Sequence, residues 1–321
     1  MILCAAATAR ADVTVDVKLT TDGQMLAQKL GVTPAELAQH LRDRIDTVLG
    51  TSGSSLQAFS DTAVLSSHGL GVDYVSVPES LLVGVAANAA SSSGGVPTTL
   101  GTGLAANVAV MAGMNLTAWN RPRWTLYGSG FYQTATIEGI DGHVANGAAH
   151  VQYALVMPGP GHAVRWTGLQ VTTGLEYTRW TVGTQKAMST KLTVSGSSGS
   201  ARIGYEPMGS LELASSTATI PVELSTGVRL AVVSLYAGVG VDVTQGVGAI
   251  DAHLTGPIHD ADGRALGTIT IDGHDSRSAS PLSARALGGV QIEAWKLKIF
   301  GHVNAAADAG TSVGVGVRGV L

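Results

Sequence analysis

Hydrophobic periodicity changes along the chain at about residue 70. Before that point apolar residues recur at helical spacing, at Leu37, Leu41, Ile45 and Val48. After it the period is two, and apolar residues alternate with polar ones, for example over residues 151–157. This alternation predicts strands with one apolar face, because successive side chains of a strand point to opposite sides. The chain is therefore predicted to be mainly β, with a helix near its N terminus.

The N-terminal segment, residues 12–69, is predicted to hold one strand and one helix. Alternation over residues 12–20 predicts the strand. The helix starts with a capping box, in which Thr33 is the N-cap and Glu36 follows three residues later. Residues 51–68 are rich in serine, and we expect irregular structure there.

The composition from residue 70 onward favours a membrane barrel over a soluble sandwich. Only 13% of the 321 residues are charged and only 3 are Phe, although the mean hydropathy is positive at +0.26. No uninterrupted apolar run reaches the roughly 18 residues that a helical span needs. Faces of Val, Leu, Ala and Gly suit lipid better than a packed soluble core, and a closed barrel pairs its backbone internally.

We therefore predict an all-β fold, an antiparallel transmembrane β-barrel over residues 70–321. Ten strands are counted from residue 81, and residues 12–20 and 70–77 would bring the number to twelve. Residues 233–254 and 265–293 are longer than the ~9–11 residues that one span requires, so this hairpin is predicted to project from the membrane.

The last strand carries the most specific pattern. Val313, Val315 and Val317 alternate up to the C-terminal Leu321. Here the sequence, over roughly residues 80–321, resembles bacterial outer-membrane barrels, whose final strand alternates and ends in an apolar residue that the assembly machinery recognises. That residue is usually aromatic, and here it is Leu. The resemblance implies an outer-membrane location, a C terminus in the periplasm, and contacts with outer-membrane lipids, lipopolysaccharide and the barrel-assembly machinery.

A helix before the barrel loosely resembles the FadL-type transporters of hydrophobic compounds. In that family an Asn-Pro-Ala segment is common, and the nearest counterpart here is Ser76-Val77-Pro78. The resemblance implies that residues 12–69 act as a plug, with the helix against the lumen, the periplasmic rim or a partner. No binding residue is carried over from it.

The first eleven residues resemble the remnant of a signal peptide. Residues 2–9 are apolar, and Ala9-Arg10-Ala11 has the small-x-small form of a cleavage site. We expect export with cleavage before Asp12, which removes Cys4, the one cysteine of the sequence. The alternative is an alanine-rich, disordered terminus.

Polar residues are predicted to line the barrel interior. They suggest a permeation path with a charged constriction, or else a salt-bridge network that fills a narrow lumen. The inward set is Glu176, Glu223, Arg229, Asp242, Arg285, Gln291, Glu293, Lys298, His302, Asn304 and Arg318.

Large aromatic residues fall near the predicted strand ends. Amphipathic rings favour the boundary between lipid and water, so we expect interface positions for Trp119, Trp124, Trp166 and Trp295, with the first, second and fourth of them at the periplasmic side.

No pattern in the sequence indicates a metal, a cofactor or a catalytic site. The acidic segment at residues 260–263 starts like a calcium loop but lacks the downstream Glu. The nine histidines show no metal-binding spacing. Ser276 and Ser278 lie near His274 and Asp275, an arrangement close to chance. The net charge of −4 offers no basic surface for nucleic acid.

Three functions remain. The first is passive passage of small molecules, including apolar ones, with the N-terminal segment as plug. The second is a closed structural barrel, or one that adheres to surfaces through the loops at residues 185–208 and 255–264. The third, ranked below both, is an outer-membrane hydrolase, and we predict that the protein is not an enzyme.

Overall fold

The computed structural model describes residues 12–49, 52–75, 81–92, 104–137, 139–158, 164–185, 189–307 and 309–321, so the segments at 1–11 and 76–80 lie outside the described residues. Within these ranges the chain forms three helices and fourteen strands. The helices are α1 (Thr21–Lys29), α2 (Pro34–Leu49) and α3 (Ser52–Ser67). The strands are β1 (Asp12–Leu19), β2 (Leu81–Ser91), β3 (Leu104–Leu116), β4 (Arg121–Ile137), β5 (Ile140–Val156), β6 (Val164–Thr184), β7 (Thr190–Gly196), β8 (Gly199–Tyr205), β9 (Met208–Leu230), β10 (Val233–His259), β11 (Ala265–Ser278), β12 (Leu282–Ala294), β13 (Leu297–Ala306) and β14 (Gly310–Val320).

Ten of the described strands close into an antiparallel ring. The order is β2, β3, β4, β5, β6, β9, β10, β12, β13 and β14, and β14 pairs with β2 from Thr311 opposite Ser91 to Val320 opposite Leu82. The predicted all-β barrel of about ten to twelve strands is confirmed. Short connections such as residues 231–232 lie at the end of the ring where Leu321 lies, which is called the C-terminal rim below.

The outer wall of the ring is apolar. On β10 the outward side chains from Leu235 to Val243 are Leu, Ala or Val, and they cover about 27 Å along the strand. An apolar band of about 25 Å is typical of membrane barrels. Other exposed members of this band include Val83, Val85, Val108, Val110, Ile220, Val222, Leu224, Val241, Ile299, Val303, Val313 and Val315.

The head is a smaller sheet that projects from the rim opposite Leu321. The 27 residues of β10 extend to about 90 Å, and only residues 233–243 pair with β12. Beyond them β10 pairs with β11, β11 pairs with β1, and the β7–β8 hairpin joins near His259. The predicted loops at 185–208 and 255–264 are therefore largely strands. We call this region the head. It consists of β1, α1, α2, β7, β8, β11 and the parts of β9 and β10 that lie beyond the pairing of β10 with β12.

The helix predicted from the capping box packs in the head. Thr33 N donates to Glu36 Oε2 at 2.6 Å and Glu36 N donates to Thr33 Oγ1 at 3.2 Å, which holds the pKa of Glu36 below its usual range. Leu37 and Leu41 are buried against the head sheet. The helix therefore lies neither in the lumen nor at the C-terminal rim.

The lumen is filled by α3 and the segment that follows it. This helix contacts the ring strands β2, β3, β6, β9, β10 and β14, and it also contacts β11 in the head. The prediction of irregular structure over 51–68 is wrong, and residues 70–75 form a buried irregular segment instead of a strand. Small side chains also line the place where the helix passes from the head into the ring, and a Cβ on Gly248 would lie 2.4 Å from Ser60 Oγ. No helix in the described ranges is long and apolar enough to cross a bilayer.

A disulfide tests the packing of α3 against the inner face of β9. Ser60 Oγ on α3 lies 3.1 Å from Ser215 Oγ on β9, so we expect cysteines at both positions to crosslink on mild oxidation. The measurement is the gel shift of a Cys4→Ser background that carries Ser60→Cys and Ser215→Cys. The control pairs Ser60→Cys with Ser225→Cys, which lies about 33 Å further along β9. Crosslinking of the control, or failure of the test pair, contradicts the placement.

Candidate functional site

We call α3 and residues 68–75 the plug. A buried ionic network connects the plug to the barrel wall. Its centre is Arg285 on β12, whose Nε donates to Asp242 Oδ2 at 2.9 Å and whose Nη1 donates to Asn304 Oδ1 at 2.9 Å. Its Nη2 donates to Glu223. Tyr74, in the segment after α3, also donates to Glu223 Oε1 at 3.2 Å. The predicted inward residues of β9, β10 and β12 are thus brought together.

His68, the residue after α3, lies between two wall carboxylates. Its Nδ1 lies 2.8 Å from Glu176 Oε2, and its Nε2 lies 3.2 Å from Asp242 Oδ2. Glu176 also lies 3.0 Å from His150 Nε2 and accepts a hydrogen bond from Ser67 Oγ at 3.0 Å.

Asp73 holds the end of the plug that lies nearer to the C-terminal rim. It is fully buried, and its carboxylate lies 3.3 Å from Lys298 Nζ and 3.4 Å from Arg318 Nη1. Arg318 also donates to the backbone oxygen of Val72 at 2.6 Å and covers the ring of Phe300 at 3.7 Å. The plug is thus fixed through its backbone as well as its side chains.

Oppositely charged side chains face each other throughout this network. Asp73, Glu176, Glu223 and Asp242 face the permanent cations Arg285, Lys298 and Arg318 and the imidazole of His68. Burial of charge is tolerated only with such pairing. A gap of about 10 Å³ separates α3 from the wall at Leu65 and Asp242, which is room for about one water molecule. The described interior therefore contains a packed ionic core.

The remaining predicted inward residues lie at the edges of this core. Arg229 Nη2 pairs with Glu293 Oε2 at 2.7 Å near the C-terminal rim, where both residues are partly exposed. Gln291 donates to Glu293 Oε1 at 3.1 Å. The ring of His302 stacks on that of Phe300 with the two centroids 6.1 Å apart. A Cβ added at Gly69 would lie 2.9 Å from His302 Nε2. A positive φ of +78° makes Gly the suitable residue there.

The four predicted interface tryptophans are exposed near the C-terminal rim. Trp119 precedes β4, Trp124 and Trp166 lie near the starts of β4 and β6, and Trp295 lies in the β12–β13 turn with 96% of its surface exposed. Trp124 packs against Tyr153 with ring centroids 4.7 Å apart.

The outer face of the head sheet is polar. On it His253 and Asp272 lie side by side on β10 and β11, and the neighbouring pair joins His274 Nδ1 to Asp251 Oδ1 at 2.7 Å. Exposed Ser210 on β9 and Thr14 on β1 continue the row of His253 and Asp272, and Thr255 and Thr270 form the next polar pair of β10 and β11. The apolar band of β10 thus changes to a hydrophilic face beyond Val247.

The acidic segment at the tip of the head is a turn. Asp260 Oδ1 accepts from the backbone N–H groups of Asp262 and Arg264 at 2.9 and 2.8 Å. In the described ranges, no group of three or more His, Cys, Asp or Glu residues is arranged to hold a metal ion. His274 is exposed on the outer face of β11, whereas the next residue, Asp275, is buried. His274 and Asp275 therefore lie on opposite faces of β11.

A family model described as Lsa36-like matches residues 8–321. The chain belongs to the Lsa36-like family. No curated protein matches the sequence.

Several solved structures are similar in fold to this Lsa36-like chain. Neisserial surface protein A is 13% identical, with 75% of this chain and 97% of that chain covered and a TM-score of 0.27. The translocator domain of the autotransporter NalP from Neisseria meningitidis is 12% identical, with 87% and 98% covered and a TM-score of 0.32. A major outer membrane protein from Thermus thermophilus is 13% identical, with 62% and 98% covered and a TM-score of 0.28.

The plug side of the network was missed in the sequence. The sequence pattern predicts irregular structure at His68 and a strand at Asp73 and Tyr74. All three residues instead pair with predicted inward residues. One indication was present, since residues 54–68 contain neither Gly nor Pro and nothing interrupts a helix there.

Removal of Arg285 tests the network. Arg285→Leu leaves Glu223 and Asp242 buried without their cation, and we expect a loss of about 3–5 kcal/mol in the free energy of unfolding. Arg264→Ala, at the exposed turn of the head, should change it by less than about 0.5 kcal/mol. Urea unfolding in bilayers measures the free energy of unfolding of both variants. Equal free energies for the two would contradict a structural role for Arg285.

Proposed function

We propose that this Lsa36-like protein is a closed outer-membrane barrel that presents its head at the cell surface as a contact module. The observation that carries the proposal is the packed ionic core between the plug and the wall. The apolar band around the ring supports a position in a bilayer, since lipid-facing strands need apolar outward side chains. The sequence of the last strand supports the outer membrane as that bilayer.

The packed lumen favours the closed barrel over passive passage. A polar solute would have to displace α3 and separate Asp73, His68 and Tyr74 from their wall partners. Separating one partner of a buried ion pair costs about 3–5 kcal/mol, and several such contacts act together here. The strand β1 adds a further restraint, because it pairs with β11 in the head and so fixes the chain above α3.

The head is the part that a partner could reach. It lies beyond the apolar band at the rim opposite Leu321, so a periplasmic C terminus places it outside the cell. Its own core includes Leu41, Ile203 and Ile269, all fully buried, which makes it a stable support. The polar outer face of its sheet, around His253 and Asp272, is the surface that we assign to contact with other molecules.

A charged residue in the apolar band tests the position in the bilayer. Val239→Arg places a guanidinium on the outer wall between Leu235 and Val243, and we expect a loss of about 2–4 kcal/mol in stability within lipid. Thr255→Arg, an outward change on the same strand within the head, should leave the stability nearly unchanged. Refolding yield in vesicles, read as heat-modifiable gel mobility, distinguishes the two. Equal yields would argue against a lipid-facing band.

Cysteine labelling and adhesion test the display of the head. In a Cys4→Ser background, Ser200→Cys at the start of β8 should react with an impermeant maleimide on intact cells, whereas Lys296→Cys at the C-terminal rim should react only after lysis. Cells with His253→Ala, Asp272→Ala and Asp251→Ala should adhere less to protein-coated or glycan-coated surfaces. Gln24→Ala, Gln28→Ala and Lys29→Ala on the helical side form the control. Unchanged adhesion of the first set would contradict the assigned surface.

A further inference from the structure

Among the residues that the structure describes, the C-terminal rim carries exposed cations that have no acidic partner. Arg121 and Arg123 lie at the start of β4, Arg165 lies at the start of β6, and Lys296 lies in the β12–β13 turn. We call these four residues the basic rim. Within the described part of the rim the one side-chain carboxylate is Glu293, and Arg229 already occupies it at 2.7 Å. The described residues therefore leave this rim with uncompensated positive charge.

Each cation of the basic rim lies within two residues of a tryptophan in the sequence. Arg123 precedes Trp124, Arg165 precedes Trp166, Lys296 follows Trp295, and Arg121 comes two residues after Trp119. The indoles lie at the edge of the apolar band, which is the level of lipid headgroups in a bilayer. Long basic side chains that start at this level reach the phosphates while their stems stay against apolar surface.

The opposite end of the barrel has a different charge pattern. Beyond the apolar band the exposed face of the head sheet carries Glu212, Asp251 and Asp272. Anionic headgroups are repelled there and attracted at the basic rim. The asymmetry thus favours acidic lipid in the leaflet that contacts the C-terminal rim.

We propose that the basic rim binds the phosphate groups of anionic phospholipids and collects these lipids around the C-terminal end of the barrel. The inference rests on the proposed position in a bilayer. Arg121, Arg123 and Arg165 lie along an arc of the rim from β4 to β6. Lys296 lies on the other side of the rim, in the β12–β13 turn. A basic side chain near an anionic surface contributes enough to enrich such lipids by about fivefold, and salt screens the attraction.

Quenching of tryptophan fluorescence by brominated lipid tests the proposal on the full chain. The protein is refolded in phosphatidylcholine vesicles with a fixed fraction of brominated phosphatidylglycerol, or with the same fraction of brominated phosphatidylcholine. We expect the brominated phosphatidylglycerol to quench more strongly, with an apparent enrichment of about fivefold at low salt that falls towards one at about 1 M salt. Equal quenching by the two lipids in low salt would overturn the proposal.

Two charge-matched variants assign the effect to the rim. Arg121→Gln, Arg123→Gln and Arg165→Gln together should abolish the preference for phosphatidylglycerol. Arg179→Gln, Arg202→Gln and Arg264→Gln, which remove the same charge elsewhere, should keep it. If the first variant keeps the preference, the basic rim is not the site. If neither brominated lipid quenches the wild-type chain, the position in the bilayer itself is wrong, which is a separate failure.

Discussion

Filling the barrel interior is the constraint on which the rest of this structure depends. A ring of ten strands is wide enough to admit a helix but too wide for its own wall side chains to close, since eight strands already leave an interior that side chains just fill. Here the filler is part of the same chain. The helix α3 brings small side chains to the wall, His68 brings an imidazole between two wall carboxylates, and Asp73 brings a charge that complements those of the wall.

The position of the filler explains why the head lies where it does. Because α3 runs through the lumen and β2 starts at the C-terminal rim, the chain before α3 emerges at the opposite rim. There β1 adds to β11 on the long extension of β10, and α1 and α2 cover the inner face of that sheet. The barrel, the plug and the head are therefore one mechanical unit. A function that uses the head requires no movement of the plug, whereas a function that uses the lumen does.

The sequence predicts those parts of the fold that depend on local pattern. Alternation along the strands and the capping box of Thr33 and Glu36 were sufficient for the barrel and for α2, because both arise from neighbours within a few residues. Helix α3 has no such local pattern, for a physical reason. It is enclosed by wall on nearly every side, so Ser60, Thr62 and Ser66 are buried and no apolar stripe marks it. The pairing of Asp73 with Lys298 joins residues 225 positions apart, and no local pattern contains that information.

Electrical recording tests most directly whether the lumen is closed in the folded protein. Full-length chain, shown to be folded by its heat-modifiable gel mobility, is inserted into a planar bilayer beside a chain that lacks residues 12–75. We predict no steady conductance steps from the full chain, because α3 and the ionic core occupy the path, and open steps from the shortened chain wherever it folds. Steady, ohmic steps from the full chain would show a continuous water-filled path and contradict a closed barrel.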